Sequence, residues 1–204
     1  MPQPITKVRT DASIFLNNVG DRFLGKQAAV AVLALEALVA WTQVESFMLN
    51  MYITLAGGED ADAAAVFLAM ETASAKSAAI TALAERKLSA ESLRLLRAII
   101  KVVKSAEKER NKLAHWTWGW SPQIQNAFLL SDPRNLKLEK NNVFVFTADD
   151  FSAMITRFER IAGWGLTFRF ILSGHSANRE GRLFDELCRE PEIAEILNRQ
   201  AQQG

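Results

Sequence analysis

The chain has 204 residues, of which 49% are hydrophobic and 23% charged, an ordinary globular balance with enough length to bury a core without staples. A formal net charge of +1 excludes a global basic field that would coat nucleic acid, though it leaves room for a local basic groove. Its one cysteine, Cys188, excludes an intramolecular disulfide, and with His115 and His175 it makes too few soft ligands for a structural zinc site.

Residues 1–20 hold Pro2 and Pro4 and little periodicity, so they read as an arm or a short lead-in helix. They lack the apolar core of a signal peptide, and with the single cysteine this points to a reducing, cytoplasmic setting. Asp21 or Gly25 opens a first long helix that runs to about Leu55. Leu33, Ala37, Trp41, Val44, Met48, Met51 and Leu55 recur at three- and four-residue spacing along it. Its most apolar run, Ala28 to Trp41, is interrupted by Glu36 and falls short of the ~20 residues of a membrane span. It reads as a core helix, with no membrane partner, and Gly57-Gly58 ends it.

A second, Ala-rich helical stretch covers about Asp60 to Arg86, with a break expected at Ser74–Ser77. Ser89 then caps a third helix that runs towards Ala114 on an apolar face of Leu93, Leu96, Ile100 and Val103. Trp116-Thr117-Trp118-Gly119-Trp120-Ser121-Pro122 interrupts helix formation. Its alternating tryptophans fit either stacking surfaces or core and dimer packing. Two β-like runs come next, one near Ala127–Leu130 or Leu136–Leu138 and one at Val143–Thr147, with Lys140-Asn141-Asn142 as the turn. Thr147 or Asp149 caps a fourth helix, about Asp150 to Leu172, closed by Ser173-Gly174. The tail from Arg182 to Gln200 gives one or two short helices, the second starting at Pro191. The expected fold is mainly α, a four-to-five-helix up-down bundle with a small β-hairpin before the last core helix. Its parts are an arm over 1–20, one helical domain over 21–174, and a helical tail over 175–204 packing on that domain.

The segment Glu109-Arg110-Asn111-Lys112-Leu113-Ala114-His115-Trp116 carries the chemistry. Arg110 lies one heptad beyond Val103, so it continues an apolar stripe, and an arginine there lines a cleft or interface or is paired internally. Histidine transfers protons near neutral pH, and the guanidinium fork matches phosphate oxygens. That pair suits RNA cleavage without a metal or other cofactor. On an ideal helix five residues rotate by about 500°, so Arg110 and His115 diverge by roughly 140°. Either the helix unwinds near His115, or two copies of the motif meet across a two-fold axis, and a combination of both is expected. The bland alternative pairs Arg110 with Glu107 or another glutamate and lets His115 cap carbonyls. Lys101, Lys104, Lys108 and Lys112, with Glu107 and Glu109 among them, fit a solvated face or a guide for a phosphate backbone. His175 has no partner motif, Phe144, Phe146, Phe158, Phe168 and Phe170 read as core, and no phosphate-cradling glycine loop is present.

Arg110-Asn111-Lys112-Leu113-Ala114-His115 resembles the Arg-x(4–6)-His signature of the HEPN superfamily, with the polar residue that often comes directly after the arginine. Trp41 and Glu45 resemble the Trp-x-x-x-Glu element of one HEPN-like group. Ala75-Lys76 and the hairpin before a final amphipathic helix also fit, and the likeness covers roughly residues 25–173. It implies a helical bundle that dimerises through the motif-bearing helices, with RNA as substrate and cyclic phosphate ends as product. It also implies a role of defence or toxin–antitoxin type with a partner protein such as an antitoxin. Other members are inactive binding or interaction modules. On this reading Arg110 and His115 are catalytic, and Asn111, Glu45, Lys112 and Trp116 support them or bind substrate. Trp116 departs from the pattern, because a glycine often stands after the histidine; an indole there either stacks on a base or blocks the groove.

Overall fold

The computed structural model describes residues 1–16, 22–135, 137 and 139–202. In chain order these form β1 (Gln3–Pro4), α1 (Ile5–Val8), β2 (Phe15–Leu16), α2 (Ala28–Ala56), α3 (Asp60–Ala69), α4 (Ala73–Lys87) and α5 (Ala90–His115). Then come β3 (Thr117–Ser121), β4 (Ile124–Ser131), β5 (Val143–Thr147), α6 (Ala148–Leu172), α7 (Arg182–Arg189) and α8 (Pro191–Ala201). The class is mainly helical with a small antiparallel sheet, as the periodicity indicates.

The helix starts have local chemical causes. Ser89 Oγ accepts from the Ser92 amide at 3.2 Å and so begins α5. At α6, Thr147 Oγ1 accepts from the Asp150 amide at 3.3 Å, and Asp150 Oδ2 accepts from the Thr147 amide at 3.1 Å. This reciprocal pair is a capping box with aspartate in the place of glutamate. The stretch expected from Asp60 to Arg86 is two helices. It breaks at Met70–Thr72, not at Ser74–Ser77, because Thr72 is the residue whose hydroxyl caps α4, accepting from Ala75 at 3.1 Å. Ser77 instead points inward, 3% exposed.

The chain divides into two compact units. One comprises residues 1–41 and 106–158, the other 42–105 and 159–204. The first holds a five-stranded sheet in the order β1-β5-β4-β3-β2, every neighbour antiparallel. The expected hairpin is its β4–β5 pair, with Lys140–Asn142 forming a 3-10 turn before β5. The alternative run at Leu136–Leu138 ends on residues outside the described ones, as does the expected helix start at Asp21; α2 begins at Ala28 after a 3-10 turn over Phe23–Gln27. Residues 1–16 are not simply an arm: they supply both outer strands. In β4, Phe128 and Leu130 share a face with Trp118, Phe144 and Phe146, while Ala127 and Leu129 share the other with Val143 and Val145. That second face is covered by Ile5, Ala12, Ile14 and Leu16. Both faces are therefore packed, which is why the Ala127–Leu130 part of β4 reads as a continuous apolar run without alternation. Gly119 is required where β2 pairs with β3, since a Cβ there would overlap the Phe15 carbonyl oxygen.

The second unit is helical. Phe67, Ile80, Ala84, Leu95, Leu96, Ile99, Phe168, Leu187 and Ile193 are buried in it. Gly57, at φ 70°, ends α2, and Lys87 Nζ donates to the Ala56 carbonyl at 2.9 Å. Gly174, at φ 64°, ends α6, where the His175 amide reaches back to the Phe170 carbonyl at 3.1 Å. Gly165 packs so tightly that a Cβ would overlap the Phe47 ring, whereas one at Gly163 would meet nothing within 4 Å.

Phe23–Ala56 is one continuous helical stretch of 34 residues, long and apolar enough to cross a membrane by length and composition. It is longer than its apolar run suggests, because the 3-10 turn and the polar segment after Trp41 extend it. Val30, Ala34, Ala37, Trp41, Val44, Met48, Met51 and Leu55 are buried along it at helical spacing, whereas Val32, Leu35 and Val39 are exposed and only 22% of its most apolar window is buried.

Candidate active site

The motif lies in the first compact unit, on the last turns of α5. The helix does not unwind there: α5 continues to His115, and the Trp116 amide still donates to the Lys112 carbonyl at 3.0 Å. The rotation of about 500° between Arg110 and His115 therefore stands, and the two side chains leave the helix roughly 140° apart with a rise of about 7.5 Å.

Strand β3, directly after α5, holds the helix end in place. Trp118 Nε1 donates to the Leu113 carbonyl at 2.9 Å, satisfying one of the last carbonyls of the helix. Its ring lies edge-on to Phe128, centroids 5.4 Å apart, and stacks on Phe151 at 6.2 Å. Leu113 itself is 2% exposed. One helical turn earlier, Glu109 Oε1 accepts from Arg157 Nη1 at 2.8 Å, an ion pair that ties α5 to α6. Replacing Trp118 with Phe keeps a six-membered ring but removes the donor and the five-membered part of the indole. It should cost at least about 1 kcal/mol in a denaturant titration, the usual worth of one such bond, with lost packing added to it; an unchanged midpoint would show that the Leu113 carbonyl finds another donor.

Around this anchor the motif residues take distinct positions. Arg110 is half-buried, and its Nη1 donates to Asn111 Oδ1 at 3.1 Å. Asn111 thereby keeps its amide N–H groups for other acceptors. His115 is exposed at the helix end, and its ring forms no hydrogen bond among the described residues; it does not act as a carbonyl cap. The Trp116 indole is half-buried beside Phe144, with ring centroids 5.7 Å apart, and Lys112 Nζ stands 5.3 Å from its ring centre. Arg110 is thus joined to Asn111 by a hydrogen bond and Lys112 to Trp116 by a cation–ring contact, while His115 stands exposed at the helix end. Glu45 is an exposed residue of α2 in the second compact unit.

The remaining candidates are placed as packing groups. Phe146, Phe158 and Phe168 are fully buried, Phe144 and Phe170 partly so. His175 stacks on Phe170 at 4.6 Å just past the α6 terminus. Burial pushes the Cys188 thiol above its ordinary range, which favours the unreactive form. Among the described residues no three His, Cys, Asp or Glu side chains are grouped closely enough to hold a metal ion.

No protein-family model, curated protein or solved structure matches this chain.

Proposed function

We propose that the chain is a HEPN-like, metal-independent endoribonuclease whose active site is assembled from the motif-bearing α5 helices of two copies. The observation that carries this reading is the regular α5 helix. It leaves an exposed, unengaged imidazole at its C-terminus and a half-buried guanidinium on another side. Neither copy completes a site alone, and a two-fold axis beside α5 supplies each group with its complement.

The groups present dictate the chemistry. His115 takes the proton from an RNA 2′-hydroxyl, and that oxygen attacks the adjacent phosphorus. The bond from phosphorus to the 5′ oxygen breaks, and that oxygen leaves with a proton returned by imidazolium. The products are a 2′,3′-cyclic phosphate and a 5′-hydroxyl. Arg110 stabilises the crowded, doubly charged phosphorane with a fork of N–H donors, and Asn111 orients that fork. Lys112 holds a flanking phosphate. Trp116, backed by Phe144, offers an edge for a base.

The test is digestion of RNA in EDTA by the wild-type protein and by His115→Ala. Cleavage by the wild type alone supports the reading; equal cleavage by both, or by neither, sinks it. Trp116 motivates a second reading, a non-cleaving RNA- or nucleotide-binding module working with a partner protein. In that case calorimetry shows nucleotide binding lost in Trp116→Ala while no digestion appears. A cytoplasmic defence or toxin–antitoxin setting belongs to the first reading.

A further inference from the structure

The second compact unit carries a groove that plays no part in the proposed cleavage. It lies between α2 and the last turns of α6, and Ser46, Asn50, Glu159, Gly163, Leu166 and Arg169 are among its lining residues. On α6, positions 159, 163, 166 and 169 recur at three- and four-residue spacing, so they share one helix face. Leu166, at the middle of that face, is 54% exposed. Gly163 beside it has no Cβ, and the space above it is open. Glu159 and Arg169 lie at the two ends, ten residues and about 15 Å apart along an ideal helix. Both are exposed, and neither side chain forms an ion pair or hydrogen bond among the described residues. Their neighbour Arg160 does, with Glu192 at 2.6 Å.

The order along this face is acid, notch, leucine, base. Turned end for end, the same strip is its own complement. We infer that it docks a second copy of this chain, with the two α6 helices antiparallel about a two-fold axis near residue 164. Glu159 of each copy then faces Arg169 of the partner subunit, and each Leu166 sits over the notch at Ala162–Gly163 of the other. This is an isologous contact, in which the same patch serves both sides. The missing side chain at Gly163 lets the helices approach closely, and the covered leucines supply the affinity. The terminal ion pairs, exposed at the rim, set direction more than strength. A foreign protein would need to match the charge order by coincidence; a second copy matches it by construction. The contact uses none of the motif residues, which belong to the first compact unit.

The experiment is light scattering on the full chain and on two charge-reversed variants, Glu159→Arg and Arg169→Glu. Each variant alone places two like-charged pairs across the axis, so its assembly should be half the mass of the wild-type assembly, with association weakened at least ~10-fold. Mixed in equal amounts, the variants present two opposite-charge pairs, and the wild-type mass should return. Leu166→Arg should lose association and not be rescued by mixing. Circular dichroism confirms that each variant is folded. A monomeric wild type, variants that associate as the wild type does, or a mixture that fails to recover would each overturn the inference. If α5 also pairs two copies, the wild type is larger than a dimer and each variant still falls by half. RNA cleavage is not the readout, so loss of the ribonuclease reading leaves this test intact.

Discussion

Arg110→Ala and His115→Ala, each without activity alone, should recover RNA cleavage when brought together in one solution. Removing a proton-transfer group costs ~10²- to 10⁴-fold, so each pure variant should fall at least about 100-fold below the wild type. If a site takes Arg110 from one copy and His115 from the other, a mixed pair has one intact site and one doubly impaired site. Random pairing makes half the dimers mixed, and recovery should reach roughly a quarter of wild-type activity. The expectation rests on α5 staying helical through His115. His115 is exposed, so its removal should leave stability unchanged. Arg110 is half-buried, and Arg110→Lys provides a better-packed comparison that retains charge and loses the fork. Two folded variants that remain inactive after mixing would place Arg110 and His115 in the same copy's site, or in none.

The largest stability effect should come from Gly165→Ala. In an ordinary helix this change gains about 1 kcal/mol, because alanine restricts the unfolded chain and suits the helix. Here the new methyl would overlap the Phe47 ring, which is only 6% exposed, so the ring or the helix must shift. Overpacking of a core costs about 1–3 kcal/mol and sometimes more, and an overlap with a held aromatic ring belongs at the upper end. The net expectation is a loss of about 2 kcal/mol. Gly163→Ala is the matched control, on the same helix with nothing within 4 Å of its Cβ. It should gain about 0.5–1 kcal/mol. Denaturation of the two variants at low protein concentration should separate them by close to ~3 kcal/mol. Equal midpoints would mean that Phe47 has another rotamer open to it.

Some parts of the fold are legible in the residues and others are not. The long helices are, because their buried stripes keep a 3.6 period and because Ser89 and Thr147 announce the starts of α5 and α6. The break between α3 and α4 is harder to place, since Thr72, Ser74 and Ser77 offer similar capping chemistry within six residues. β1 and β2 are two residues each, too short for any alternation to register. β3 is marked by its alternating tryptophans, yet an indole suits a strand face and a subunit contact equally well. The division into two compact units leaves no trace, because α2, α5 and α6 each run through the boundary with no linker. For the candidate site, the sequence pattern supplies the residue types and the 140° divergence. It does not tell that Trp118 locks the end of α5, or that Phe144 backs Trp116. Those contacts depend on how separate segments meet in the fold. The α6 groove has a faint signature in Gly163 and Leu166, but only the open space above Gly163 makes it stand out.

The placement of β1 and β2 at the two ends of the sheet bears on how the protein avoids its own kind of error. A bare strand edge is a row of unspent donors and acceptors on which any extended chain can grow. Here β5 and β3 hand their outward sides to strands of two residues, one of them containing Pro4, which has no N–H to offer. Such stubs are too short to template a further strand. Growth by strand addition is thereby blunted at both outer strands.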